Sequence, residues 1–238
     1  MTLRIRLALV LAVMLGACRN QTAPAEGPKP TVHVLTSLPL LFGEGFGLSG
    51  TQPEATTYLE RYYKLEPIDL PSKLPEGGVL LAAQPRALPA EELVALDAWV
   101  RRGGRLGLLA DPMLEWPSAR PLGDRLRPPT SYADTGLLAH WGLRLDAPDV
   151  RGLKTTRYNG TSGMTYHSPG RLVKVGGSCT VNDENGISAT CFLGDGLVFI
   201  VADADWLNVE ALRAVEAPIE GNLSSLGGIV GRPVESRN

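Results

Sequence analysis

The stretch from Val79 to Asp111 leaves this chain few folding options. Val79-Leu80-Leu81-Ala82-Ala83 is an unbroken apolar run, as expected of a strand buried on both faces. Residues 88–102 then take helical spacing, with Leu93, Leu96 and Val100 on one stripe. Pro89 stands in the first turn, where its missing N–H costs nothing. Glu91 and Glu92 open this helix and Arg101 and Arg102 close it, both matching the helix dipole. Gly103 supplies a left-handed stop, and Arg105–Ala110 forms the next strand, ending at Asp111-Pro112. Strand, helix and strand with short joins make a parallel crossover unit, so the core is α/β with a parallel sheet.

Other segments extend the alternation. Thr31–Thr36 is β-branched and apolar, a first strand. A glycine-rich loop, Leu41–Gly50, precedes a helix opened by Pro53-Glu54 with Ala55, Leu59 and Tyr62 on one face. Leu65–Leu70 reads as a short strand, stopped by Pro71. The proline-rich segment Glu115–Tyr132 reads as a surface loop, followed by a helix over 133–141, a stop at Gly142 and a strand at Leu143–Leu145. Residues 146–170 carry little pattern. Leu172–Val175 and Leu197–Ala202 are strands, the second strongly buried, and Val209–Val215 is a helix. The Gly-rich tail, 218–238, offers little to hold it and is expected to be weakly ordered.

The first residues carry a different signal. Arg4 and Arg6, an apolar stretch Leu7–Leu15, and Gly16-Ala17 have the anatomy of a secretory signal. The apolar run is shorter than the roughly 20 residues a spanning helix needs. Leu15-Gly16-Ala17-Cys18 resembles the bacterial lipobox, which implies that residues 1–17 are removed and Cys18 is lipidated. The polar, Pro- and Gly-bearing segment up to Pro30 then acts as a tether, and the α/β domain occupies 31–217. Losing Arg4 and Arg6 takes the basic count from 23 to 21 against 25 acids, a net charge of about −4. That balance gives no basic face for nucleic acid. The expected location is the cell envelope, lipid-anchored and facing the periplasm, with inner and outer membrane both open.

Cys179 and Cys191 flank Asn185-Gly186, a strong hairpin signal. Their midpoint is residue 185, so a hairpin with a three-residue loop sets them opposite each other, and an oxidising periplasm closes them into a disulfide. Two cysteines so spaced, without an adjacent His, do not make a structural zinc site.

Candidate chemistry is sparse. Asp111 and Asp203/Asp205 both follow buried strands that should end at one edge of the sheet, where α/β proteins bind ligands. The Asp-x-Asp pair could hold Mg²⁺, or all three could cap helices and bond loop amides. There is no Gly-x-Ser-x-Gly elbow, and His33, His140 and His167 fall in unrelated segments. The Gly43-Glu44-Gly45-Phe46-Gly47 run lacks dinucleotide-fingerprint spacing and reads as a loop over the sheet edge, with Gly45 and Gly47 candidate ligand contacts. Trp116, Tyr132, Tyr158 and Tyr166 sit in expected loops, available either to a binding surface or to local packing. No catalytic residue and no cofactor is assigned.

Leu80–Pro85, the acidic helix up to Arg102, Gly103-Gly104-Arg105-Leu106 and Leu108–Pro112 together resemble the auxiliary-component family of ABC-type transport systems associated with gliding motility. Its members often read strand, x-G-P, then L-S-E-E-E-x-x-A-L-D-x-F, then G-G-K and D-P. Leu96-Asp97-Ala98-Trp99 matches the centre of that helix, and Val201–Asn208 is similar to the family's G-D-S-D-F-L-x-N. The resemblance implies a flavodoxin-like sheet, related to class I glutamine amidotransferase domains but without their triad; together with the cysteine pattern this gives an α/β parallel sheet with helices on both faces and a disulfide-closed hairpin inserted before the last core strand. It also implies a non-catalytic role, binding a ligand or a protein partner, with transporter subunits as candidates. The competing reading is a metal-dependent envelope hydrolase using Asp111, Asp203 and Asp205.

Overall fold

Period-two alternation along the central strands decides the architecture. The computed structural model describes residues 28–44, 52–156 and 164–231. Within them β1 (Thr31–Thr36), β3 (Val79–Ala83), β4 (Arg105–Leu109) and β11 (Gly196–Val201) pair in parallel. Val34, Leu81, Leu109 and Val201 face one core, whereas Leu35, Leu80, Leu108 and Ile200 face the other. Successive side chains point to opposite faces, so a strand apolar at every position must be covered on both sides.

Each face has its own helices. On one lie α1 (Glu54–Glu60), α4 (Val209–Ala214) and α5 (Glu220–Ile229), which contribute Leu59, Leu212, Leu226 and Ile229. On the other lie α2 (Ala90–Arg101) and the short α3 (Leu137–His140), which contribute Leu96, Val100, Leu138 and Trp141. Pro89 caps α2 from just outside it, and Gly103 adopts φ +101° to end it. Among the described residues no helix is long and apolar enough to cross a membrane.

β2 (Lys64–Pro67) joins β1 in parallel, while β10 (Ser188–Leu193) and β9 (Cys179–Val181) extend the far side antiparallel. The order is β2-β1-β3-β4-β11-β10-β9. Its five parallel strands follow the flavodoxin-like order, in which the chain leaves β1 for one edge and β3 for the other. Cys179 lies directly opposite Cys191 and the two form a disulfide. The turn is longer than three residues, because Asp183 accepts from the amides of Asn185, Ile187 and Ser188 and organises it.

Several local expectations need correction. The 133–141 helix shrinks to one turn, since Gly136 is left-handed and Asp134 accepts from the Gly136 and Leu138 amides. β2 ends at Pro67, and Pro71–Lys73 is a 3₁₀ turn. The unpatterned segment holds β6 (Leu153–Thr156) and β7 (Met164–His167), an antiparallel pair. β5 (Leu143–Asp146) pairs with β8 (Arg171–Lys174) as a separate antiparallel ribbon. The tail is not a loose end either: within 218–238, α5 buries Leu226, Ile229 and Val230 against the sheet. Asn222, fully buried, anchors this helix: its Oδ1 accepts from the Thr165 amide and its Nδ2 donates to the carbonyls of Thr165 and Trp206. Gly107 makes room for the helix, since a Cβ there would collide with Ile229.

Candidate functional site

β4 and β11 are neighbours and parallel, so Asp111 and Asp203 emerge side by side at their carboxyl ends, with Asp205 two residues on. All three are buried. Their oxygens are taken up by backbone amides. Asp111 accepts from Met113 at 2.8 Å and Ala204 at 2.9 Å, and Asp203 from His167 at 2.7 Å and Trp206 at 3.0 Å. Asp205 accepts from Glu115 at 2.6 Å. These bonds lace the ends of β4 and β11 to β7 and to the start of the 115–132 loop. Removal from water disfavours the charged form. Burial pushes Asp111 up to about 6 and Asp205 up to about 8. Asp203 is raised well above the usual carboxylate range by burial, with Asp111 and Asp205 adding to the effect. Glu115 stands beside them, with His167 Nδ1 at 3.4 Å and Arg151 at 3.7 Å from its carboxylate. Among the described residues no group of three or more His, Cys, Asp or Glu side chains is disposed to hold a metal ion. Within the described structure the aspartates bond backbone amides.

Gln84 continues this lacing one strand over. Its backbone is left-handed, with φ +45°, and its side chain accepts from the Asp111 amide at 2.9 Å and donates to the Asp111 carbonyl at 3.0 Å. The side chain thus imitates one more residue of β-pairing between β3 and β4.

The open site lies beside this cluster, at the β1/β3 switch point. A cavity of about 350 Å³ is floored by Thr36 and Ser37, which follow β1. Thr36 donates to the Ala83 carbonyl at 2.8 Å and Ser37 to the Gln84 carbonyl at 2.5 Å, which ties this floor to the end of β3. The walls come from Leu41–Glu44, from the residues after β2, from Arg86 after β3, and from Arg120, Arg125 and Leu126 of the long loop. Arg86 holds that loop in place by donating to the carbonyls of Arg125 at 2.5 Å and Arg127 at 2.7 Å. Arg120 donates to the Glu44 carbonyl at 2.7 Å and pairs with Asp124 at 3.6 Å. Burial works against the Glu44 carboxylate, yet bonds from Ser118 and Ala119 and the charges of Arg120 and Arg127 hold its pKa below the ordinary value. Phe42 and Leu126 stand exposed at the mouth.

Of the residues singled out in the sequence, Asp111, Asp203 and Asp205 come together, whereas Cys18, Gly45, Gly47 and Tyr158 lie outside the described residues. His33, His140 and His167 stay on separate elements. Tyr166 is buried in β7, and Trp116 and Tyr132 pack partly buried on the two cores. The arginines of the cavity belong to no sequence motif. Arg120, Arg125 and Arg127 within one proline-rich loop were the available signal.

Similarity to one solved structure supports the same fold, and two others are similar at lower scores. The exo-β-1,4-mannosidase Op5Man5 from Opitutaceae bacterium strain TAV5 is similar with a TM-score of 0.50 at 13% identity, over 86% of this chain and 36% of that one. A β-galactosidase from Rahnella sp. R3 has a TM-score of 0.43 at 11% identity, over 81% of this chain and 32% of its own. The cytoplasmic protein STM1381 from Salmonella typhimurium LT2 has a TM-score of 0.48 at 10% identity, over 84% of this chain and 98% of its own. This chain thus spans about a third of the length of the two glycosidases, and the likeness to the mannosidase concerns fold alone. Among curated proteins no sequence match is found. A family profile described as an ABC-type uncharacterized transport system matches residues 29–175, from the lead-in to β1 through β8 and including the whole switch point. By that match over more than half its length, the chain belongs to the auxiliary-component family of ABC-type transport systems.

Proposed function

We propose that this protein is a non-catalytic envelope lipoprotein, anchored through Cys18, that binds a ligand or protein partner at the carboxyl edge of its sheet on behalf of an ABC-type transporter. The observation that carries the reading is the family match spanning the switch point. Two structural features support it. The acidic residues nearest to chemistry are committed to backbone amides, so they brace the edge. The neighbouring cavity, by contrast, opens between exposed Phe42 and Leu126 with arginines in its walls, and aromatic and Arg side chains are the types that dominate binding surfaces. The metal-dependent hydrolase gains no support from the arrangement of the aspartates.

The test is a crosslinking pull-down of the lipidated protein from its own membranes, with Cys18→Ala as the unanchored control. Recovery of transporter subunits with the anchored form and their loss with Cys18→Ala is the expected result. Recovery of outer-membrane or cell-wall proteins alone would overturn the transporter role.

A further inference from the structure

Among the described residues that line the switch-point cavity, guanidinium groups outnumber carboxylates. Three guanidinium groups line it, from Arg86, Arg120 and Arg125, against the carboxylates of Glu44 and Asp69. Arg120 has Asp124 as an ion-pair partner. Arg86 bonds only neutral carbonyls, through one nitrogen, and forms no ion pair among the described residues. Arg125 makes neither a side-chain hydrogen bond nor an ion pair among them. Arg86 is already immobilised by the two carbonyls it grips, so much of the entropy of fixing a long side chain is spent before any ligand arrives.

The rest of the wall is apolar: Leu41, Phe42, Ile68 and Leu126 face the same space. Its volume falls at the lower end of the 300–1,000 Å³ range typical of small-ligand sites. Its position outside the carboxyl ends of β1 and β3 is where open α/β sheets bind ligands. Glu44 already faces the charges of Arg120 and Arg127, so Arg86 and Arg125 stand against Asp69 alone among the described lining carboxylates, a positive surplus that an anion relieves and a neutral ligand does not. A planar carboxylate or a phosphate suits guanidinium donors geometrically.

We infer that the switch-point cavity binds a small organic anion, a carboxylate or phosphate carried on an apolar body, with Arg86 and Arg125 on the anionic group and Leu41, Phe42, Ile68 and Leu126 on the body. The inference rests on the carboxyl edge being the binding face, and it names the class of ligand. The two are separable by experiment. Retrieval of transporter subunits without anion binding would leave the partner reading standing and refute this one, and the converse holds equally.

The experiment is calorimetric titration of the detergent-solubilised full-length protein with phenylacetate, benzyl phosphate, inorganic phosphate and the neutral benzyl alcohol. The expected result is binding of phenylacetate or benzyl phosphate that weakens with added salt, and none of benzyl alcohol. Which of the two binds more tightly identifies the headgroup. Inorganic phosphate should bind more weakly than benzyl phosphate, since it lacks the body. Arg125→Gln, which removes a side chain with no hydrogen bond or ion pair among the described residues, should weaken the preferred anion about tenfold through loss of one charge-assisted contact. Arg86→Gln should weaken it as well, with a thermal melt to show that the loop-holding bonds are not required for folding. Equal binding of benzyl alcohol, no binding of either anion up to its solubility, or wild-type affinity in Arg125→Gln would each overturn the proposal.

Discussion

Replacing Asp205 by Asn should stabilise this protein at neutral pH and flatten its response to pH. Asp205 is 4% exposed, and burial raises its pKa from 3.8 to about 8, with Asp111 and Glu115 adding to the rise. The folded state therefore holds the proton more tightly than the unfolded chain does. The stability associated with that proton is fully present below pH 3.8 and is lost as the pH climbs through about 8. At pH 7 the loss from this one group amounts to about 4 kcal/mol, taking about 1.4 kcal/mol for each pH unit above the unfolded value. Asp111 and Asp203 are raised too, so they act with the same sign. An Asn at 205 keeps an oxygen for the Glu115 amide and carries no charge in either state. The assay is urea denaturation at pH 5, 6, 7 and 8, with wild type and Asp205→Asn side by side. Wild type should lose stability steadily across that range, and the variant should lose less and stand about 5 kcal/mol above it at pH 8. A wild-type profile flat or rising from pH 5 to 8, or an Asn variant less stable at pH 8, would refute the reasoning. Either would mean that the carboxylate is ionised and satisfied.

Three other outcomes are expected. Removing the disulfide with Cys179→Ala/Cys191→Ala frees a loop with a sequence separation of 12, which should cost about 3 kcal/mol in denaturant titration; a loss under about 1 kcal/mol would show that the hairpin does not depend on it. Asn222→Ala strips three hydrogen bonds from buried backbone groups and should destabilise by about 3 kcal/mol, with faster amide exchange in α5 and β7; unchanged exchange would refute the anchoring role. Thermal melts should not shift with added Mg²⁺, and a concentration-dependent rise that vanishes in Asp203→Ala would instead establish a metal site at the aspartates.

What could be read from the sequence follows the physics of each segment. β3, α2 and β4 are legible because double-sided burial demands uninterrupted apolar strands, and the helix between them carries its own caps and charges. The Cys179–Cys191 pair is legible because hairpin geometry fixes which residues oppose each other. β6 and β7 escape because Lys154, Thr155, Thr165 and His167 show no clean alternation, and the pair is held by ladder bonds and by Asn222 from a distant helix. α5 escapes because Gly221, Gly227 and Gly228 argue against a helix locally, while docking of Leu226 and Ile229 on the sheet decides otherwise. The three aspartates are visible as strand-end residues, but not their full commitment to amides, since Ala204 to Asp111, His167 to Asp203 and Glu115 to Asp205 are donors far along the chain. The cavity arginines sit in separate segments that only the fold brings together.

A switch-point edge that serves as the binding face of a transporter auxiliary must lie against a transporter subunit. The most direct test places a photo-crosslinking amino acid at Leu126, 53% exposed at the cavity mouth, and as a control at Val94, 69% exposed on the outer side of α2. In native membranes ultraviolet light should join Leu126 to an ABC-transporter subunit and leave Val94 unlinked. Capture of such a subunit from Val94 but not from Leu126, or from neither, would contradict that reading.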